Sequence, residues 1–166
     1  MIDIIKEPKG KAYSALIDYA IEECSEFSLV VRQDSFSQER KKEVLDALEP
    51  YLTESKEGTT AWPGTKLVDS KATLYYYICQ KNTGVILKKM SEGLFSWRQP
   101  EDLCFYRTNR IPWLVSIAHE GEAYIDADNS EMLHLKKHLK GLELRPHQYK
   151  QAARLKKLHR GNRKHA

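Results

Sequence analysis

The stretch PEDLCFYRTNRIPWLVSIAHEGEAYIDA, residues 100–127, limits the possible folds more than any other part of the chain. Residues 103–107 and 113–118 are short runs rich in β-branched and aromatic side chains, and the polar segment 108–112, ending in Pro112, reads as the turn between them. A third short strand follows at 123–125. The same stretch holds the chain's densest polar group, Arg107, His119, Glu120 and Glu122, beside Cys104 and Trp113. A sheet must be built around it, and the other segments are read by what they add.

Upstream, Tyr13, Leu16, Ile17, Ala20, Ile21 and Cys24 recur at helical intervals and predict an amphipathic helix over 11–23. Residues 27–32, FSLVVR, suit an interior strand. Asp34 or Ser37 can cap a helix with Val44, Leu45 and Leu48 inward, which ends near Glu49 because Pro50 disfavours helical geometry before it. Residues 52–69 are polar and broken by Pro63-Gly64, so a surface loop anchored by Trp62 is expected. Residues 73–80, TLYYYICQ, form the clearest strand, with Tyr75 and Tyr77 on one side and Leu74, Tyr76 and Ile78 on the other. Asn82 is the expected cap of a short helix through Val85, Ile86, Lys89 and Met90 that stops at Gly93. Leu94, Phe95 and Trp97 then form an apolar cluster. Asp128-Asn129-Ser130-Glu131 opens a helix with Met132, Leu135 and Leu139 on one face, ended by Gly141.

These segments imply an α/β (α+β) fold: one domain, a mixed or antiparallel sheet of about five strands, covering helices and a C-terminal basic helix. Charge divides the chain. From Lys136 onward there are eleven Lys or Arg against one acid, Glu143, which leaves 16 bases and 22 acids in the first 135 residues. The reading is an acidic body over 1–142 and a basic helix or tail over 143–166, whose apolar stripe is Tyr149, Ala152, Ala153, Leu155 and Leu158. No apolar run approaches the ~20 residues of a membrane-crossing helix, and the N-terminus lacks the apolar core of a secretory signal, so a cytoplasmic setting without a membrane partner is expected.

The chemistry-bearing residues have plain readings beside functional ones. Cys24, Cys79 and Cys104 are widely spaced among apolar neighbours, as buried reduced thiols are, with a reactive thiol at Cys104 as the alternative. His134 and His138 share a helix face at a spacing that can grip a metal, but no Glu lies between them, two lysines do, and no CxxC occurs anywhere. No metal and no cofactor are expected. Glycines stand singly, without GxGxxG, GxxxxGK or GxSxG. Were the chain an enzyme, Arg107, His119 and Glu120 would carry it, yet His119 and Glu120 at a strand end point to opposite faces unless a bulge intervenes.

The segments Trp62-Pro63-Gly64-Thr65, Leu94-Phe95-Ser96-Trp97, Pro100-Glu101-Asp102-Leu103 and Pro112 to Glu120 resemble an uncharacterised family of small proteins of Bacillus-type bacteria. The resemblance covers most of residues 10–127 and omits the basic tail. It implies a bacterial cytoplasmic setting and accessory roles such as immunity, defence or regulation.

The leading expectation is a non-catalytic module that binds or inhibits a larger bacterial protein through Trp62, Trp97, Trp113, His119 and Glu120, since tryptophan is enriched at binding hot spots. The alternative is RNA or DNA binding by the tail, with Arg145, Lys150, Arg154, Lys156, Lys157 and Arg160 on phosphates, in a salt-sensitive manner. A small enzyme comes third.

Overall fold

The computed structural model describes residues 1–33 and 38–147. Ten strands and four α-helices follow in order: β1 (Ile2–Ile4), α1 (Gly10–Glu23), β2 (Glu26–Arg32), α2 (Gln38–Leu48), β3 (Leu52–Thr59), β4 (Ala61–Trp62), β5 (Thr65–Lys66), β6 (Ala72–Ile78), α3 (Lys81–Met90), β7 (Glu101–Arg107), β8 (Ile111–Ile117), β9 (Glu122–Ile125), α4 (Asn129–His138) and β10 (Leu144–Pro146). Eight of the strands form one sheet, ordered β10-β1-β9-β8-β7-β2-β6-β3, and β4 and β5 form a separate hairpin. Every pairing is antiparallel. The fold is therefore α+β, as expected, but the sheet has eight strands where about five were anticipated.

The three additional strands hide for distinct reasons. β1 and β10 have three residues each, too short for alternation to register, and they are held by pairing with each other. β3 carries LTESKEGT, polar on both faces, because it lies at the sheet edge with most of its residues exposed. The segment read as a loop over 52–69 is thus an edge strand followed by a hairpin. Pro146, inside the segment read as a basic helix or tail over 143–166, stands in β10 opposite Ile2, so the body extends through His147. The basic helix expected beyond it, with Lys150, Arg154, Lys156, Lys157 and Arg160, lies outside the described residues, as do Asp34 and Ser37 as caps for α2.

The helices follow local chemistry closely. Tyr13, Leu16, Ile17 and Ala20 form the buried stripe of α1. α3 is capped two residues earlier than expected: Gln80 and Thr83 form a reciprocal capping box, with Asn82 inside the helix. At α4 the Asp128 side chain accepts from the Glu131 N–H at 2.8 Å.

Two apolar clusters sit on opposite faces of the sheet. The larger joins Leu16, Ile17, Phe27, Tyr77, Trp97 and Trp113 under the helices, with Phe27 and Tyr77 stacked at 5.2 Å. The smaller, Val30, Leu74, Tyr76, Cys104, Tyr106 and Val115, is closed by Trp62 from the β4–β5 hairpin. The Arg110 guanidinium lies over Tyr76, 4.0 Å from its ring centroid. No helix of the described residues is long and apolar enough to cross a membrane.

Candidate functional site

The densest polar site forms where β7 begins. Ser28 pairs with Cys104 and Val30 with Glu101, so two steps along β2 answer three along β7, the count of a β-bulge. Asp102 lies in the bulged stretch with φ 52°, a left-handed conformation that aspartate tolerates better than most residues. Regular alternation would send the side chains of Glu101 and Asp102 to opposite faces. Here both carboxylates converge on His119, with one ligand atom from each of the three within 4.8 Å of the others.

His119 reaches the site because β8 does not run on as a strand. Ala118–Glu120 is a single turn of 3-10 helix closed by Gly121 at φ 63°. The Ala118 N–H donates to Asp102 Oδ1 at 2.8 Å, so the carboxylate fixes the turn. Asp102 Oδ2 accepts from Trp62 Nε1 at 2.9 Å and from the Thr65 hydroxyl at 3.4 Å. One fully buried aspartate thus ties together β7, the turn after β8 and the β4–β5 hairpin.

Arg32, the last residue of β2, supplies the positive charge. Its Nε pairs with Glu101 Oε1, and its Nη2 donates to His119 Nδ1 at 3.2 Å. Its guanidinium carbon lies 5.8 Å from the Trp62 ring centroid. Arginine can only donate, so Nδ1 accepts and neutral His119 carries its proton on Nε2, 3.8 Å from Glu120 Oε1. That is the reverse of a nucleophile-activating histidine, whose outward nitrogen must be free to take a proton. Burial, and next the adjacent Asp102 charge, push the Glu101 carboxyl above the usual glutamate range, with Arg32 opposing. Two buried carboxylates face one guanidinium.

The residues expected from the sequence fall elsewhere in part. Arg107 stands at the far end of β7 and pairs with Glu131, which also accepts from Trp113 Nε1 at 2.9 Å. It does not meet His119, and the Arg107, His119, Glu120 constellation is not assembled. His119 and Glu120 are exposed on their turn. The three tryptophans are not exposed: Trp62 is 7% accessible, Trp97 1% and Trp113 0%. Each is drawn inward by an apolar ring and a partner for its N–H, which for Trp97 is the Tyr13 hydroxyl at 3.2 Å.

Arg145 stands in β10 opposite Asp3 and is half-buried, not presented on a basic helix. Cys104 is fully buried and its thiol is pushed up to about 12, chiefly by burial, so it packs as an apolar residue and is not a reactive thiol. His134 and His138 stack at 4.0 Å on the exposed part of α4.

Sequence reasoning missed Arg32, Glu101, Asp102 and Thr65. The signal available was the pair Glu101-Asp102 directly before an apolar run; the bulge that turns both inward leaves no trace in composition. Scans against protein-family models, curated proteins and solved structures find no match to this chain.

Proposed function

We propose that the chain is a non-catalytic interaction module that takes up an extended, basic segment of a larger protein along β3. The supporting observation is β3 itself: eight residues, mostly exposed, at the end of the strand order, with no strand neighbour on its outer side among the described residues. An edge of this kind offers backbone donors and acceptors for strand addition, and side-chain pockets beside it give selectivity. Beside β3 lies a groove of about 230 Å³ lined by Leu45, Asp46, Glu49, Leu52, Tyr75 and Tyr77. Its walls combine an apolar floor with the exposed carboxylates of Glu49 and Asp46, the latter paired with Lys42, and residues 1–147 carry an excess of three acids. Both features favour a basic, extended occupant.

With the tryptophans buried, the contact surface moves from the aromatic residues to this edge, and the His119–Glu120 turn lies at a different part of the surface. The polar site also leans away from catalysis, because Asp102 is spent on three protein donors and His119 presents a proton. A regulatory or inhibitory role on a larger bacterial protein remains the reading that joins this surface to the family resemblance.

The test is fluorescence anisotropy with a labelled ten-residue peptide alternating Lys and Val, beside a Glu/Val counterpart, across a salt series. Binding of the basic peptide that is lost in the Asp46→Lys, Glu49→Lys double variant supports the reading. Equal binding of both peptides, or none by either, removes it.

A further inference from the structure

We propose that the basic segment 148–166 docks on the body of its own chain, over the outer face of β9, β1 and β10, with its cations on the carboxylates of that face. Alternation in β1 settles which face this is. Ile2 and Ile4 enter the helix-covered core, so Asp3 points the other way, level with Tyr124 of β9 and Arg145 of β10. The hairpin contacts of Trp62, Gly64 and Thr65 fall on β7 and β8, while β9, β1 and β10 lie beyond them in the strand order.

Two observations point to a cationic cover. Asp3 is 5% accessible, yet only one of its oxygens is used: Oδ1 meets the His147 ring Nδ1 at 2.7 Å, and Oδ2 has no hydrogen-bond partner. Arg145, opposite Asp3 in the ladder, leaves its own Nε buried and unpaired as well. A buried carboxylate oxygen without a donor is costly, and a lysine or arginine brought over it removes that cost. The second observation is charge along the chain. Residues 120–128 hold Glu120, Glu122, Asp126 and Asp128, all exposed, and no base. Glu122 shares the face of Tyr124 and Asp3. Residues 148–166 hold seven Lys or Arg and no acid.

Position favours this face over the other acidic surfaces. The His147 N–H donates to the Met1 carbonyl and its ring lies on Asp3, so the chain leaves the described residues beside the face itself. β9 stands two strands from β10. That distance is roughly 10 Å, which about three or four extended residues cross. The β3 groove lies at the opposite end of the sheet. Docking here accounts for the division of charge between body and C-terminal segment, and it is separate from the β3 reading.

The test is limited trypsin digestion of the full chain, with cleavage inside 148–166 followed by intact mass and the free peptide 148–166 as the unprotected standard. At low salt the segment should be cut about tenfold more slowly than the peptide, since only the undocked fraction is open to the protease. The protection should vanish at ~1 M NaCl, where charges are screened beyond about 3 Å. Glu122→Gln with Asp126→Asn should remove most of it at low salt, and circular dichroism checks that this exposed pair leaves the fold intact. Asp46→Asn with Glu49→Gln, at the β3 groove, should change nothing. Cleavage as fast as the free peptide at low salt overturns the proposal. So does protection that survives the Glu122/Asp126 variant, or protection lost in the Asp46/Glu49 variant, which would put the segment at β3. Protection that falls on dilution of the chain would put it on a second copy, and overturns the proposal too.

Discussion

The helix-covered face of the sheet and the hairpin-covered face bury comparable kinds of side chain but close in different ways. Under the helices, Leu16, Ile17, Phe27, Leu29, Trp97 and Trp113 are all at most 1% accessible, and the layer is held mainly by apolar volume delivered from α1 and α3 and from the sheet itself. On the other face, two strands of two residues each must close over Val30, Leu74 and Val115. So small a cover cannot hold itself down by area. It is pinned by named contacts: Trp62 and Thr65 on Asp102, Arg32 across Trp62, and Gly64 against Ile117. A large layer spreads its stability over many contacts, whereas a small one concentrates it in a few polar bonds, and those bonds also build the polar site.

The largest loss should come from the helix-covered face. Trp97→Ala empties a fully enclosed indole site and removes the donor to the Tyr13 hydroxyl, and a cost of about 3–5 kcal/mol is expected. Urea unfolding measures it, and a loss below ~2 kcal/mol would show that this layer is looser than its burial implies. Asp102→Ala should follow at about 2–4 kcal/mol, since it strands three donors, among them the buried indole N–H of Trp62. Its signature differs. The hairpin should come free before the sheet unfolds, giving faster amide exchange in β4 and β5 than in β2, whereas Trp97→Ala should lower protection across the whole sheet.

A third change tests shape in place of bonding. Gly64 sits at φ 83°, and an added Cβ would meet Ile117 Cγ1 at 2.8 Å and Val115 Cγ1 at 3.1 Å. Gly64→Ala therefore combines backbone strain with a clash against a side chain that can partly yield, for an expected cost of about 1–2 kcal/mol. Trp62→Phe in that background separates the two effects. If the Gly64→Ala loss persists when the Trp62–Asp102 bond is absent, shape acts on its own.

The same contrast explains what the sequence made legible. The helix-covered face could be read almost residue by residue, because α1 at Tyr13, Leu16, Ile17 and Ala20, β2 at Phe27 and Leu29, and β6 at Tyr75 and Tyr77 obey the 3.6 and 2.0 periods. The hairpin face could not. Its cover is made of elements too short to show a period, β3 is polar on both sides, and the site depends on a bulge that breaks alternation at Asp102. The tryptophans were misplaced on the surface for a related reason. The contact role rests on residue type alone, and only the tertiary partners, Asp102, Tyr13 and Glu131, show that each N–H is satisfied inside.

Two glutamates provide the smallest effect and the sharpest sign. Glu26 is held below the ordinary glutamate range, first by its bond from Arg110, then against burial, with Thr53 donating as well. Its contribution to stability is present above the unfolded-state value of about 4.3 and is lost as pH falls through its lowered folded value. Glu101 is displaced upward, so the folded state holds its proton more tightly than the unfolded chain does. Its protonated form favours folding at low pH, and that advantage is lost as pH rises through the raised folded value. Urea unfolding of Glu26→Gln and Glu101→Gln from pH 3 to 7 should therefore diverge. The stability deficit of Glu26→Gln relative to the unsubstituted chain should grow with pH, while that of Glu101→Gln should shrink with pH or reverse. Parallel curves would mean that Arg32 neutralises Glu101 as fully as Arg110 neutralises Glu26, and that burial and the Asp102 charge leave no net mark on Glu101.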